Sequence, residues 1–461
     1  MAKRAHIANP HRPQPFSMRG NRHLPVFLSD VDLARYVDRV TSTTPNGNAT
    51  TAAFDALNRV VTTVAPDAGK TTLGYDRQDN VVSNTDPVTV ATKFTYDGFG
   101  DAIQEVSPDR GTSTYVYNAA GQLTKSTDGR AQAVTYTLDI LGRVLTKVPT
   151  GLTAQTVTYT WDTGGLTGSY GIGRLARMVD GSGTTLFGYD PRGNLTARQQ
   201  TIGTTTTAQV QYAYDLNNRI TQITYPSGRI VQYGYDTKGR VSLVQTKASA
   251  SITAWTTIAN GYTYEPFGAV DAITLGNGLS VANAWGLDGT LASRRLYRTA
   301  GGTNVSYLTY AYDADGNIGS ITDQMTPANT VLYGYDKVGR LAMAVSASTS
   351  ATAQTYGYTK GTNRLATVTT SAGTRTVTYD GRGNTAKEVR PSAITATTTY
   401  DGYARLTGYT RTDVGAYTFT YNGLDDRVTM TSAANGTRTF VVTVAGTPRF
   451  RVDRWWVELR A

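Results

Sequence analysis

A short aromatic and acidic phrase recurs along this chain and limits what it can fold into. The phrase is an aromatic residue, any residue, Tyr, Asp, two further residues and Gly, often followed by Arg and an aliphatic residue, as in YGYDTKGRV at 233–241. There are 17 copies, and nine of the 16 intervals between them are 21 residues. A fixed period of this kind indicates a repeat architecture in which every unit is one supersecondary element.

One copy predicts a β-hairpin. Tyr233 and Tyr235 are two residues apart and therefore share one face of a strand. Asp236 begins a turn in which its carboxylate accepts backbone N–H groups, and Gly239 supplies the positive φ that closes a hairpin with a bulge. Residues 240–244 alternate again and predict the returning strand. Gly-containing phrases such as TYPSGR predict a second turn between units, so each unit is strand, turn, strand, turn.

We assign the repeated residues to the fold and not to catalysis. The residues that define the motif in the clearest copies are Tyr96, Asp97, Gly100, Tyr214, Asp215, Tyr235, Asp236, Gly239, Arg240, Tyr312, Asp313, Gly316, Tyr335, Asp336, Gly339, Arg340, Tyr400 and Asp401. The arginines at the turn exits are expected to pair with an acid or to stack on a tyrosine of the next unit; they are Arg59, Arg143, Arg219, Arg240, Arg340 and Arg405.

The number of strands restricts the shape of the array. Two strands per unit at about 4.8 Å spacing would make a flat sheet roughly 160 Å wide, and open sheets rarely exceed about ten strands without curling. Alternatives are a β-propeller and a β-solenoid. Consecutive copies are equally strong, which disfavours a propeller blade of two unequal units, and a tight hairpin in every unit disfavours a solenoid. We therefore predict an all-β chain that forms a long curled antiparallel sheet, with tyrosine rings of adjacent units stacked in a ladder.

The phrases YGYDTKGRV, YAYDADGNI and YGYDKVGRL, with connecting phrases TYPSGR and LGNGL, resemble the YD repeats of Rhs proteins. Wall-associated proteins, shell-forming components of insecticidal toxin complexes and teneurins carry similar repeats. The resemblance covers residues 36–445 and implies a β-sheet wound into a hollow shell. In the toxin members the shell encloses a C-terminal effector, and in teneurins it supports adhesion. The resemblance thus implies secretion or attachment to the cell envelope, and a toxin effector, a delivery apparatus or a cell-surface glycan as partner.

Both ends differ from the repeat. Residues 1–35 are basic and contain all three histidines, and we expect a disordered arm there; residues 446–461 form a basic tail outside the repeat. The abrupt change favours the hypothesis that the chain is a fragment, without the core segment and effector that follow the repeats in toxin members. A disordered arm and a short C-terminal strand are the simpler alternatives.

The composition argues against several kinds of chemistry. The absence of cysteine excludes thiolate metal sites and a cysteine nucleophile, and the body beyond residue 23 has no histidine for a metal cluster or a catalytic triad. The repeated aspartates occur singly, whereas calcium loops and glycosidases need acids grouped together. Most of the basic excess lies at the ends, which disfavours nucleic-acid binding, and no apolar run could span a membrane. We expect no enzyme activity and no cofactor.

Two functions from different classes remain. The first is a structural repeat protein that forms all or part of a shell of Rhs type. The second is an extracellular carbohydrate-binding or adhesive module, in which aromatic residues would stack on sugars or bind cations. The exposure of the tyrosines distinguishes them, because a wall buries its rings and a binding module presents them in grooves.

Overall fold

The fold consists of β-strands joined by short turns. A computed structural model describes residues 41–44, 47–203, 206–347, 349–442 and 456–459. Within those residues the helical segments are single 3-10 turns at Thr153–Gln155, Pro327–Asn329 and Pro391–Ala393, and none is long enough to cross a bilayer. The predicted N-terminal arm at 1–35 lies outside the described residues.

The strands are numbered in chain order. The first half contains β1 Thr41–Thr43, β2 Ala49–Phe54, β3 Val60–Val64, β4 Lys70–Tyr75, β5 Val81–Thr85, β6 Ala91–Tyr96, β7 Ala102–Ser107, β8 Gly111–Tyr117, β9 Leu123–Thr127, β10 Ala133–Leu138, β11 Val144–Pro149, β12 Val157–Trp161, β13 Leu175–Asp180, β14 Gly183–Tyr189, β15 Leu195–Ile202, β16 Thr206–Tyr214, β17 Ile220–Thr224, β18 Ile230–Tyr235 and β19 Val241–Lys247. The second half contains β20 Thr256–Tyr264, β21 Val270–Leu275, β22 Leu279–Trp285, β23 Leu291–Arg298, β24 Asn304–Tyr312, β25 Ile318–Asp323, β26 Val331–Tyr335, β27 Leu341–Ser346, β28 Thr349–Tyr358, β29 Leu365–Thr370, β30 Gly373–Tyr379, β31 Thr385–Val389, β32 Thr395–Tyr400, β33 Leu406–Arg411, β34 Gly415–Tyr421, β35 Arg427–Ser432, β36 Gly436–Val442 and β37 Trp456–Leu459.

The 37 strands of the described residues belong to one antiparallel sheet, and each pairs with its neighbours in the chain. The predicted all-β curled sheet is therefore confirmed, and the sheet is continuous and not divided into propeller blades. Each motif hairpin has a register shift at its last pair, as between Gly234 and Tyr235 in β18, which is the bulge expected from the turn. Part of the C-terminal tail, Trp456–Leu459, is the final strand and pairs with β36.

One face of the sheet carries the motif tyrosines, and we call it the tyrosine face. In β34 the tyrosine-face residues Tyr417, Phe419 and Tyr421 are half-buried, whereas Thr418 and Thr420 on the opposite face are exposed. Within the described part of the chain, strands make their substantial contacts with their chain neighbours, so no second layer of described residues accounts for this difference. A curved sheet crowds the side chains on its concave side, and the tyrosine face is therefore the inner face.

The turns form two rims along the sheet. The YD rim consists of the motif turns that follow even-numbered strands, such as 55–59 after β2 and 401–405 after β32. The opposite rim consists of the turns that follow odd-numbered strands, such as 65–69 after β3 and 128–132 after β9. Because the strands alternate in direction, every motif turn lies on the same rim.

The sheet winds back on itself as a spiral. The opposite-rim turn after β3 meets the YD turn after β24, where the Asp67 N–H donates to Asp315 at 3.3 Å. The turn after β9 meets the turn after β30, where Arg382 lies 3.2 Å from Asp128. One revolution thus takes about 21 strands, and at about 4.8 Å per strand its diameter is about 30 Å. We call β1–β21 the first revolution, β22–β37 the second revolution, and the contact between them the seam.

The best-buried side chains lie on the strands at and beside the seam. Val157, Met178 and Phe187 form one apolar cluster, against which Tyr159 and Tyr403 of the two revolutions pack. A second cluster lies on the neighbouring strands β16 and β17 and contains Ala208, Val210, Tyr212, Ile220 and Ile223. The apolar core is therefore local, and most of the spiral is a single layer of sheet.

The seam also contains a buried ion pair. Arg198 on β15 is 2% exposed and lies 3.1 Å from Asp426 beside β35, 228 residues away. Asn422 donates to the same carboxylate at 3.3 Å. Because a buried charge requires a partner, this pair ties the end of the second revolution to the first.

Loss of this pair should destabilise the protein. The substitution Asp426→Asn keeps the shape but leaves the Arg198 charge buried without a counter-charge, and we expect it to lower the free energy of unfolding by about 3 kcal/mol in urea titrations. The matched control is Asp413→Asn, because Asp413 pairs with Arg411 at an exposed turn; its cost should stay below about 1 kcal/mol. Equal effects of the two variants would contradict a buried seam.

Candidate functional site

Each motif turn is built around its aspartate. In the turn after β18, the Asp236 carboxylate accepts the backbone N–H groups of Lys238 and Arg240 at 2.9 and 2.8 Å, and the Arg240 side chain at 2.8 Å. Gly239 has φ 82°, which an L-residue rarely adopts, and its N–H donates to the Asp236 carbonyl at 2.9 Å. The carboxylate is therefore fully engaged within its own hairpin.

The arginine at the turn exit belongs to the same arrangement. Six turns contain an aspartate–arginine ion pair at i,i+4: Asp55–Arg59, Asp139–Arg143, Asp215–Arg219, Asp236–Arg240, Asp336–Arg340 and Asp401–Arg405. Asparagine takes the place of arginine in other turns, as where Asn317 donates to Asp313 and Asn384 donates to Asp380. Either side chain closes the turn by binding the second carboxylate oxygen.

The arginine also contacts the next unit. The guanidinium of Arg219 lies 4.4 Å from the ring centroid of Tyr235, and that of Arg340 lies 4.1 Å from the ring of Tyr358. Ring-to-ring contacts are fewer among the described residues, such as Phe267 with Trp285 at 5.9 Å. The predicted ladder of stacked tyrosines is thus replaced by arginines that lie over the tyrosine rings, with cation–π attraction in place of ring stacking.

The tyrosine before each aspartate binds the preceding hairpin. The Tyr235 hydroxyl donates to the carbonyl of Ile220, at the start of the strand beside it, at 2.6 Å. The same bond is made by Tyr75, Tyr96, Tyr117, Tyr189, Tyr214, Tyr264, Tyr312, Tyr335, Tyr358, Tyr379 and Tyr400. Trp161 and Trp285 donate their indole N–H to the equivalent carbonyls of Val144 and Val270. Neighbouring hairpins are therefore fastened at the end where no turn connects them.

The protonation of these groups follows from their surroundings. Backbone and side-chain hydrogen bonds from Arg240 hold the pKa of Asp236 below its ordinary value, and those from Arg219 do the same for Asp215. Burial raises the pKa of Tyr214 and of Tyr264 to about 12. The aspartates are thus ionised and the tyrosines neutral at pH 7, which suits ion pairing and hydrogen bonding and not proton transfer.

A polar cavity of about 230 Å³ lies in the inner wall at the seam. Tyr115, Tyr136 and Tyr403 line it together with charged groups of both signs, among them Glu105, Arg110, Lys147 and Arg382. Lys147 lies over the Tyr403 ring at 4.3 Å, and burial lowers its pKa. The cavity therefore presents phenol hydroxyls and charges of both signs to the inside of the spiral. The described residues contain no acidic or histidine cluster that could hold a metal ion.

The seam residues were not found by sequence reasoning. The Tyr403 hydroxyl lies 2.7 Å from the Lys147 carbonyl and 2.9 Å from the Gln155 carbonyl, and the Tyr159 hydroxyl donates to Gly423 at 3.0 Å. Gly402 fits because a Cβ there would lie 2.5 Å from Pro149. A signal for the seam was present in the sequence as a run of aspartates in the opposite-rim turns of the first revolution: Asp67, Asp86, Asp109 and Asp128.

The comparisons agree with this architecture. The RHS Repeat family model matches residues 117–153 and 214–251, each of which contains two motif turns. No protein of curated function is significantly similar in sequence. A Photorhabdus luminescens Tc holotoxin pore structure matches with a TM-score of 0.67 at 16% identity, over 89% of this chain and 24% of that one. A TcdB2–TccC3 structure matches with a TM-score of 0.66 at 16% identity, over 89% of this chain and 25% of that one.

The fold and the repeated turns define a structural protein built from β-hairpin repeats. The chain contains RHS repeats, and its wound sheet is similar to that of the Tc toxin structures. It spans about a quarter of the length of the solved structures that it matches. The common feature is the wound sheet, since similarity at 16% identity establishes the fold alone.

The hydroxyl bond between hairpins can be measured. Tyr235→Phe removes the donor to Ile220 and leaves that carbonyl unsatisfied, so we expect the free energy of unfolding to fall by about 1 kcal/mol. Tyr233→Phe is the matched control: it lies on the same strand and face, and its hydroxyl makes no hydrogen bond within the described residues. The control should unfold at or above the wild-type urea concentration. A loss of equal size in both variants would show that general packing, and not this bond, fastens the hairpins.

The raised pKa values of the buried tyrosines allow a prediction of the highest pH at which the fold is stable. The pKa of these tyrosines is raised in the folded state, so neutral tyrosine stabilises the fold. This contribution to the free energy of unfolding is complete below the unfolded pKa of about 10, and it is lost as the pH rises through the folded pKa of about 12. Tyrosinate absorbance and β-sheet circular dichroism should therefore change together between about pH 10 and pH 12. The urea-unfolded chain should titrate near pH 10. Titration of the folded protein near pH 10 with its sheet intact would contradict the fastening role.

Proposed function

We propose that this chain forms part of the wall of a β-sheet shell whose role is to contain or deliver a polypeptide. The observation that carries the proposal is the seam: the sheet closes on itself laterally through side-chain contacts between turns about 250 residues apart, such as those of Arg382 with Asp128. A sheet that only presented a surface would not need to join its own rims. The space within the spiral is about 30 Å across between backbones, which admits an extended or partly folded chain.

The motif residues support a role without catalysis. The aspartate carboxylates described above are occupied by arginine or asparagine and by backbone N–H groups, and the tyrosine hydroxyls donate to carbonyls. Groups held in this way have no free coordination, and their pKa values are shifted away from neutral pH, whereas general acid–base catalysis requires a pKa near the working pH. We therefore propose that the chain is not an enzyme.

The same contacts favour a wall over a glycan-binding module. The tyrosines that precede the aspartates are half-buried, as at Tyr96, Tyr235 and Tyr335, and each is covered on one side by its neighbours. A sugar-binding array needs rings that face solvent in grooves. The structurally similar proteins include complexes of TcdB2 with TccC3. We accordingly propose that the cargo of this chain is a toxin polypeptide. We also propose that the chain is secreted, to the cell envelope or to the exterior.

Enclosure can be tested with cysteine labelling, because the chain has no cysteine of its own. Ser113 and Thr112 are adjacent on β8 and lie on the inner and outer faces. We expect Ser113→Cys to react with a small maleimide but at least tenfold more slowly with a maleimide on a polymer coil wider than the spiral. Thr112→Cys should react with both reagents at similar rates.

The outcome separates a wall from an open sheet. Equal reaction of the two positions with the polymer reagent, in protein whose circular dichroism is native, would overturn the proposal that the inner face is enclosed. Reaction of both positions after addition of urea shows that each thiol is competent.

A further inference from the structure

The polar cavity in the inner wall contains a lysine without a directly bound counter-charge. Lys147 on β11 is half-buried and pairs with Tyr136 of β10, so its side chain lies on the inner face. Its ammonium group lies over the Tyr403 ring, and among the described residues it makes no ion pair and no hydrogen bond. Burial lowers the pKa of Lys147, because the charged form has lost water without gaining an anion in contact. A negative charge in the cavity would restore what burial removed.

The acids around the cavity are already paired. Each of the three that line it binds an arginine: Glu105 with Arg110, Asp128 with Arg382 at 3.2 Å, and Asp425 with Arg405 at 3.2 Å. Two further ion pairs belong to the same network: Arg130 with Asp128 at 2.7 Å and Arg405 with Asp401 at 2.6 Å. Together with Lys147 the network has five cations and four acids. One positive charge is therefore in excess, and Lys147 is the cation that no acid contacts.

The size and the neutral groups of the cavity fit a small acid. Its volume of about 230 Å³ lies below the roughly 300–1,000 Å³ of sites that hold drug-sized ligands, so it has room for a short acid or one side chain. The hydroxyl groups of Tyr115 and Tyr136 line it and can donate hydrogen bonds to an anion. An excess of one charge matches one carboxylate, whereas the acids in the lining would repel a doubly charged phosphate.

Both revolutions build this cavity. The first revolution contributes the inner face of β7–β11, and the second contributes Arg382, Tyr403 and Asp425 from its motif turns. The Tyr403 hydroxyl donates to the Lys147 carbonyl at 2.7 Å, which holds its ring beside the ammonium group of the same lysine. The cavity therefore requires the wound sheet, and a group bound there enters from the inside of the spiral.

We propose that this cavity binds a carboxylate group, with the Lys147 ammonium as its charged partner and the hydroxyl groups of Tyr115 and Tyr136 as hydrogen-bond donors. A bond between an ammonium group and a carboxylate is stronger than one between neutral groups, and here it would form partly out of water. The carboxylate belongs either to a small organic acid or to an acidic side chain of a polypeptide inside the spiral. The second source rests on the containment role proposed above, and the first does not.

The first experiment measures binding to the full chain by saturation-transfer NMR. The probes are acetate, N-acetyl-glutamate amide and N-acetyl-glutamine amide, and the last has the shape of the second without its charge. We expect both acids to bind and the glutamine probe to bind at least tenfold more weakly than the glutamate probe. Equal binding of the glutamate and glutamine probes, or binding of neither acid, would overturn the proposal.

The same titrations identify the source of the carboxylate. A glutamate probe that binds at least tenfold more tightly than acetate indicates a polypeptide side chain, because the cavity then recognises more than the charge. Similar affinities for the two probes indicate a small acid. Both probes are small enough to reach the inner face whether or not it is enclosed. A failure of the enclosure test by cysteine labelling would therefore leave carboxylate binding intact.

The second experiment removes the charge. Lys147→Gln should weaken binding of the glutamate probe at least tenfold, and because burial opposes the Lys147 charge, the variant should be no less stable in urea than the wild type. Lys125→Gln is the matched control: Lys125 is exposed on the outer face of β9, and its loss should leave binding unchanged. Unchanged binding in folded Lys147→Gln would overturn the proposal.

The third experiment locates the bound group. Acetic anhydride acetylates free lysine amines, and mass spectrometry of peptides reports the extent at each lysine. The glutamate probe should slow acetylation of Lys147 at least fivefold and should leave Lys125 unaffected, and the glutamine probe should protect neither residue. If the glutamate probe binds but Lys147 reacts at its usual rate, the carboxylate lies elsewhere and the assignment to this cavity is wrong.

Discussion

The structure depends on the fastening of one hairpin to the next at the YD rim. A hairpin alone is marginal in water, and a turn joins consecutive hairpins at the opposite rim only. At the YD rim the Tyr235 hydroxyl binds Ile220, and Arg219 lies over the Tyr235 ring while it binds Asp215. One tyrosine, one arginine and one aspartate thus join two units. Each contact contributes little alone, but repetition along the chain makes the sheet a single body.

The hairpin and its turn could be predicted because their determinants are local. Asp236, Gly239 and Arg240 act within six residues of one another, and the alternation of β18 and β19 is visible in the sequence. Curling also followed from strand number alone. The prediction of a ladder of stacked rings was wrong, because the arginine guanidinium that binds the aspartate also covers the face of the tyrosine ring in the next unit. Sequence spacing does not show which of two partners will cover an aromatic face.

The seam could not be predicted for a different reason. Arg198 and Asp426 are 228 residues apart, and their meeting depends on the curvature per strand, which no local pattern specifies. The residues of the opposite-rim turns did carry a signal, because they differ between the two revolutions. Turns at Asp67, Asp86, Asp109 and Asp128 are acidic, and the equivalent turns of the second revolution are mostly apolar or small. A difference between halves of a repeat array indicates that the halves have different neighbours.

The offset of about 21 strands between docked turns restricts how the repeat number can change. Backbone pairing alone would accept duplication or loss of a hairpin anywhere, because every strand recognises only its neighbours. However, a hairpin added between Asp128 and Arg382 would change the number of strands between these two turns. Each docked turn after the insertion would then lie one hairpin away from its present partner. Gly402 would then no longer lie opposite Pro149, and Tyr403 would face a different strand. A change in the number of hairpins would therefore leave the seam intact at the two ends of the array and break its contacts in the middle.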